Sequence, residues 1–164
     1  MLVVMNIIAA PLETESAPYG IVSFELAGSA ARAEQITGSW DETMRLQAAF
    51  SLGLDYLFLI IYSSTIGLAC IMAAAVLQIR HWPLVALGVA LAWGLWLAAI
   101  LDAVENAGLA MILFGGDAPL WAPIARWCAV FKFGLIFAGI CYLFFGLVVN
   151  WVIKPAVGSI SSSK

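Results

Sequence analysis

Residues 56–79 read YLFLIIYSSTIGLACIMAAAVLQI, a run without a single charged side chain. At 24 residues, the run exceeds the roughly 20 that a helix needs to cross the hydrocarbon core of a bilayer. It ends at Arg80-His81-Trp82-Pro83. It is preceded by Ser39-Trp40-Asp41-Glu42, where a Ser is followed three residues later by a Glu, as in a capping box. We therefore predict one long spanning helix over residues 40–79.

Two further apolar runs of similar length follow. The second helix is predicted over 84–114, between the Pro that closes the first loop and the breaker sequence Gly-Gly-Asp-Ala-Pro at 115–119. The third is predicted over 120–153 and stops before Pro155. The sequence thus predicts an all-α integral membrane helix bundle over residues 40–154. It consists of three long transmembrane helices behind an N-terminal amphipathic segment.

The composition supports a membrane environment. Hydrophobic residues make up 64% of the chain and charged residues 10%, against about 45–50% and about 25% in soluble domains. A bilayer solvates the apolar faces that a water-soluble fold of this size would have to hide. The net charge of −3 argues against nucleic acid as a partner, since nucleic-acid binding needs a basic surface.

The segments that flank the bundle differ in character. Residues 1–39 begin with about ten apolar residues, too few to span a bilayer, which are either an interfacial anchor or part of a fourth helix. The acidic remainder contains an amphipathic stretch at 20–37, which we predict to lie as a lid on the bundle or on the membrane surface. Residues 155–164 are Ser-rich and are predicted to be disordered.

The basic residues near the spans predict an orientation. Arg80 and His81 occupy the first loop, and Lys154 and Lys164 follow the third helix, whereas the N-terminal segment and the second loop are acid-rich. Because cytoplasmic loops carry an excess of Lys and Arg, we predict a cytoplasmic C-terminus and an extracytoplasmic N-terminal segment. The expected location is the bacterial inner membrane.

Ionisable side chains occur at one height on all three predicted helices. Counted from the cytoplasmic ends, Asp55, Asp102 and Lys132 are the first charges, each about 30–35 Å along its helix at 1.5 Å per residue. Glu105 and Asn106 follow Asp102 at i+3 and i+4 and so share its face. These five residues are predicted to form one polar layer near the outer membrane face, in which Lys132 pairs with Glu105 or Asp102.

Small residues recur at every fourth position below this layer on the second helix. They are Ala86, Ala90, Gly94 and Ala98, and the series continues to Asp102. Because small residues let helix backbones approach closely in a membrane, we predict that they form a packing face. The polar triplet would then point into the protein and away from lipid.

The polar layer is compatible with several functions. Its simplest role is a clamp of charges and hydrogen bonds that fixes the register of the helices. We therefore favour a non-enzymatic accessory subunit or a lipid-binding scaffold. The apolar surfaces also permit a protein partner or a homo-oligomer. One alternative is a membrane-embedded lipid-modifying or isomerase-like enzyme with the carboxyl groups as general acid and base. Another is a component of a proton or cation pathway. No metal site is predicted, since the sequence has no Glu-x-x-His, and no cofactor is expected.

Several segments resemble a loose group of small bacterial multipass membrane proteins without an assigned activity. The similar segments are Gly20–Gly28 (GIVSFELAG), Leu52–Phe58 (LGLDYLF), Leu101–Asn106 (LDAVEN) and the Lys132-Phe133 pair. The resemblance implies a four-helix protein with a spanning helix before the Gly20 segment. It implies no reaction.

Overall fold

The computed structural model describes residues 10–152, so the predictions for the first nine residues and for 155–164 lie outside the described part of the chain. A 3-10 turn at Ala10–Leu12 is followed by two short and three long helices. They are α1 (Ile21–Glu25), α2 (Ala30–Gly38), α3 (Glu42–Ile79), α4 (Val85–Leu113) and α5 (Ala118–Val152).

The three long helices are each long and apolar enough to cross a membrane, which confirms the predicted membrane helix bundle. They contain 38, 29 and 35 residues, or roughly 57, 44 and 52 Å at 1.5 Å per residue. All three exceed the hydrocarbon core, which is about 30 Å thick. Only 33%, 28% and 22% of their most apolar windows is buried inside the molecule, so most of that surface faces outward.

The start of α3 differs from the predicted capping box. Asp41 is the N-cap, and its carboxylate accepts a hydrogen bond from the backbone N–H of Met44, so the helix begins at Glu42. Ser39 instead ends α2, where its hydroxyl donates to the carbonyl of Ile36 at 2.7 Å. The capping-box prediction was therefore wrong, because the preceding helix uses the serine and the next acceptor along the chain takes over.

The other long helices also begin at specific local contacts. Leu84 adopts a left-handed conformation with φ 76° before α4, and its carbonyl accepts a hydrogen bond from the Tyr142 hydroxyl at 3.1 Å. The carboxylate of Asp117 accepts from the N–H of Leu120, and α5 therefore starts at Ala118, two residues before the predicted position. Pro119 fits the first turn of α5, where a missing N–H costs no helical bond.

The helix α4 lies between α3 and α5 and packs along both. In the half of the bundle away from the lid, the core joins Leu95 of α4 to Cys70 and Leu77 of α3 and to Tyr142 and Val149 of α5.

The N-terminal residues 10–40, called the lid from here on, cover the opposite end of the bundle. Phe24, Ile36 and Trp40 are buried in a core shared with the outer ends of α3, α4 and α5. The ring of Trp40 meets Phe24 edge-on at 5.4 Å, and its indole N–H donates to the carbonyl of Leu12 at 3.0 Å. The amphipathic segment thus packs on the helix ends that continue above the predicted polar layer.

Candidate functional site: a buried polar cluster beneath the lid

One group of polar side chains lies where the lid meets all three long helices. We call it the polar cluster, and its members are Glu25, Asp55, Tyr62, Asp102, Glu105, Asn106 and Lys132. Asp55 and Tyr62 are two turns apart on α3, the triplet of Asp102, Glu105 and Asn106 is on α4, and Lys132 is on α5. The structure therefore brings together all five residues of the predicted polar layer.

Lys132 occupies the centre of the cluster and joins α5 to α4. Its Nζ lies 2.6 Å from Oδ1 of Asp102 and 2.9 Å from Oε2 of Glu105. The three residues are 4%, 2% and 0% exposed, respectively. The sequence pattern predicted a pair with one of the two acids, and the structure shows an ion pair with both.

Hydrogen bonds connect the same face of α4 to α3. The Tyr62 hydroxyl donates to Oδ2 of Asp102 at 3.0 Å, so both carboxylate oxygens of Asp102 have a donor. The side-chain N–H of Asn106 donates to Oδ2 of Asp55 at 2.7 Å. The Tyr56 hydroxyl donates to the carbonyl of Ala103 at 3.0 Å. Through these contacts the cluster fixes the relative height of the three helices.

Two oxygen atoms of the cluster are buried without a hydrogen-bond donor among the described residues. They are Oε1 of Glu105 and Oδ1 of Asn106, and both residues are at most 1% exposed. Oε2 of Glu105 faces the Lys132 ammonium at 2.9 Å in an ion pair and therefore has a partner. Buried acceptors without a donor are rare in folded proteins because each costs free energy.

Glu25 of the lid is a further member of the cluster, and it was not among the five residues of the predicted polar layer. It is partly buried at the last residue of α1, directly after the buried Phe24. Burial raises the pKa of its carboxyl from 4.5 to about 7; the charge of Lys132 lowers this pKa, and the charges of Asp55 and Asp102 raise it. The one sequence signal was an acid directly after Phe24 in IVSFEL, which indicates a partly buried glutamate without giving its position on the bundle.

The predicted small-residue packing face is only half correct. Ala98 is buried, and Gly94 lies against Leu135 of α5, but Ala86 and Ala90 are exposed. A step of four residues advances 400° in a helix with 3.6 residues per turn. Four steps below Asp102, the stripe has therefore rotated by about 160°, away from the partner helices.

At the level of Ala86 and Ala90, it is the buried Gly88 of α4 that lies close to α5. A Cβ atom at Gly88 would lie 2.5 Å from the Tyr142 hydroxyl oxygen.

Neither a set of metal ligands nor a described groove coincides with the polar cluster. Within residues 10–151, no set of three or more His, Cys, Asp or Glu side chains is placed to hold a metal ion. Four grooves of about 300–380 Å³ on the described part of the bundle are lined by residues outside the polar cluster; three lie between helices and one lies along α5. His81 lies in the loop between α3 and α4, at the far end of the bundle from the lid.

No protein-family model matches the chain, and neither the curated proteins nor the solved structures contain a match.

Proposed function

We propose that this polytopic membrane protein is a non-enzymatic, lipid-binding scaffold whose ligand is an acyl chain held between α3 and α5. The observation that carries the proposal is a groove of about 300 Å³ between these two helices, in the half of the bundle away from the lid. Ligand sites of this kind are concave and mostly apolar, with few polar groups.

The groove is apolar along most of its length and polar near one end, as a lipid is. Its walls are apolar and include the small residues Ala69, Ala73 and Gly146, and one amide, that of Asn150, lies near its end. A second groove of about 310 Å³ meets it at Asn150 and is bordered by Trp151. Tryptophan is enriched where a membrane meets water. An acyl chain would lie along Ala69 and Ala73, with its ester group near the amide of Asn150.

The enclosure of the polar cluster supports a non-enzymatic role. The lid covers the cluster, and its central acids are engaged by Lys132, Tyr62 and the neighbouring amide. A lipid substrate would need a path from the bilayer to these carboxyl groups, and the four described grooves are lined by other residues. The cluster then acts as a clamp that holds the helices around the lipid site.

The proposal includes a location and an orientation. The bias of Arg80, His81, Lys154 and Lys164 toward one side of the spans supports a cytoplasmic C-terminus in a bacterial inner membrane. The lid would then lie on the extracytoplasmic side. The resemblance to small bacterial multipass proteins supports the same location.

The test is lipid retention during purification in a mild detergent, measured by mass spectrometry of the intact complex and of extracted lipids. Ala69→Phe fills the groove, and Ala75→Phe places the same ring on the exposed surface of the same helix as a matched control. We expect about one phospholipid per chain for the wild type and Ala75→Phe, and none for Ala69→Phe. Equal retention by all three proteins would refute the lipid site. A stoichiometric protein in place of lipid would favour an accessory subunit.

A further inference from the structure

The polar cluster contains more negative charge than its basic partner can balance. Four carboxyl groups, those of Glu25, Asp55, Asp102 and Glu105, surround one ammonium group, that of Lys132. In a low-dielectric interior an uncompensated charge is costly, and a carboxyl group responds by taking up a proton. The charge balance therefore requires a positive species in addition to Lys132.

The unpartnered oxygens indicate what that species is. Oε1 of Glu105 and Oδ1 of Asn106 are buried acceptors that lack a donor within the described part of the chain. A carboxylate can only accept hydrogen bonds, whereas a protonated carboxyl group also donates one. A proton at Glu105 would turn one of its oxygens into a donor. A metal ion is a poorer fit, because the Lys132 ammonium already occupies the position between the acids.

The cluster is connected to only one side of the membrane. Between it and the opposite ends of the helices, residues 56–79, 83–101 and 133–153 contain no Asp, Glu, Lys, Arg or His. On the other side lies the lid, with Glu25 at the end of α1. We therefore expect protons to exchange with water on the lid side of the cluster.

The backbone on both sides of α1 has the form of a hinge. Gly20 precedes the helix with φ 55°, and Gly28 follows it with φ 70°, a region that favours glycine. The lid is held in place by Phe24 beneath it and by Arg126 of α5, whose side chain packs against Gly28. A five-residue helix between two such glycines can move without unfolding the bundle.

We propose that the polar cluster is a proton-binding site open to one side of the membrane, and that Glu25 couples its proton occupancy to the seating of the lid. With protons bound, the surplus charge is neutral and the lid is closed. Loss of the Glu25 proton leaves a carboxylate beside the acids Asp55, Asp102 and Glu105, and Lys132 opposes their combined charge. The α1 segment of the lid then separates from the bundle, and water reaches the cluster.

The direction of the pH dependence follows from Glu25. Its pKa is about 7 with the lid closed and 4.5 as a solvated carboxyl group. The closed state is therefore fully favoured below about pH 4.5, and opening becomes easier as the pH rises toward 7. For a single proton, the opening constant rises up to tenfold per pH unit in this window and levels off above pH 7.

The test is hydrogen–deuterium exchange of the lid amides in lipid nanodiscs between pH 5 and 8, with rates corrected for the intrinsic pH dependence of exchange. Glu25→Gln removes the proposed coupling group, and Glu34→Gln makes the same change at an exposed site of the lid. We expect corrected exchange of residues 21–27, between the two hinge glycines, to rise about tenfold per pH unit up to pH 7 in the wild type and in Glu34→Gln. It should be flat in Glu25→Gln.

Infrared spectroscopy of the same samples reports proton occupancy directly. We expect a protonated-carboxyl band at pH 5.5 in the wild type that weakens by pH 8, with a smaller change in Glu25→Gln. Absence of this band at pH 5.5 would overturn the proton site. Flat exchange in the wild type, or an equal rise in Glu25→Gln, would overturn the coupling to the lid. The wild-type infrared band and exchange profile test the proton site and its coupling to the lid even if a variant does not fold.

Discussion

Replacing Lys132 with methionine removes the ammonium group from the centre of the polar cluster while keeping a side chain of similar length. Nζ lies 2.6 Å from Asp102 and 2.9 Å from Glu105, and both acids are almost completely shielded from solvent. The substitution leaves two buried carboxyl groups without their counterion, and we expect it to destabilise the packing of α5 on α4.

The magnitude can be worked out from these distances. At an effective dielectric constant of about 20, the ammonium attracts an ionised carboxylate 2.6 or 2.9 Å away by roughly 6 kcal/mol, and Glu105 contributes only in its ionised form. The cost of desolvating the ammonium cancels much of this attraction, and removing one partner of a buried pair costs about 3–5 kcal/mol in net terms. Because Glu105 can take up a proton once Lys132 is gone, we expect the lower value, about 3 kcal/mol. For a chain of this size that corresponds to a Tm lower by about 6–12 °C.

The assay is thermal unfolding in dodecyl maltoside at pH 7, followed by circular dichroism. The control is a triple variant in which Asp102→Asn and Glu105→Gln accompany Lys132→Met. It removes the two unpaired carboxylates and should recover part of the lost Tm, since burying a neutral polar group costs less free energy than burying an ion. A Tm unchanged by Lys132→Met, or a triple variant less stable than the single one, would refute the clamp.

Three further measurements test other parts of the structure. Gly88→Val should cost about 1–3 kcal/mol of unfolding free energy, because the added atoms overlap the ring of Tyr142; an unchanged Tm would show that the helices separate freely there. Trp40→Phe removes the hydrogen bond to the carbonyl of Leu12 and should lower stability by about 1 kcal/mol, with increased proteolysis of the lid as the readout. The Tm of the wild type should fall as the pH rises from 5 to 7, since the pKa of Glu25 is raised on folding. Glu25→Gln should remove most of this dependence of Tm on pH. An equal dependence in both proteins would contradict the assignment to Glu25.

Periodicity and length were sufficient to predict the membrane bundle and much of the polar cluster. A charge on each helix at a similar distance from the helix end forces the charges to one height, because the rise per residue is fixed. The cost of an unpaired charge in a membrane then selects Lys132 and the acids of α4 as partners. Both the common height and the pairing follow from local geometry alone, and the ion pairs of Lys132 with Asp102 and Glu105 confirm the predicted pairing.

The features that the sequence did not predict depend on contacts between residues distant in sequence, or on the rotation of a residue repeat around its helix. Glu25 reaches the cluster only because Phe24 and Trp40 seat the lid on the helix ends, and no spacing within residues 20–37 reveals that position. Ala86 and Ala90 fit a four-residue repeat, but a small angular error per step grows to half a turn over 16 residues. Short-range pattern was reliable over about two turns and unreliable over four.

The core beneath the lid also constrains how the protein is made. Phe24 is translated early, yet it shares its core with Leu109 of α4 and Ala122 of α5, which follow about 100 residues later. At about 5–20 residues per second, the ribosome needs roughly 5–20 s to supply these partners. During that interval the aromatic side chains of the lid have no binding surface and must rest on lipid or on a chaperone. The lid can therefore dock fully only after α5 has been synthesised, and a nascent chain that lacks α5 would leave Phe24 and Trp40 without part of their core.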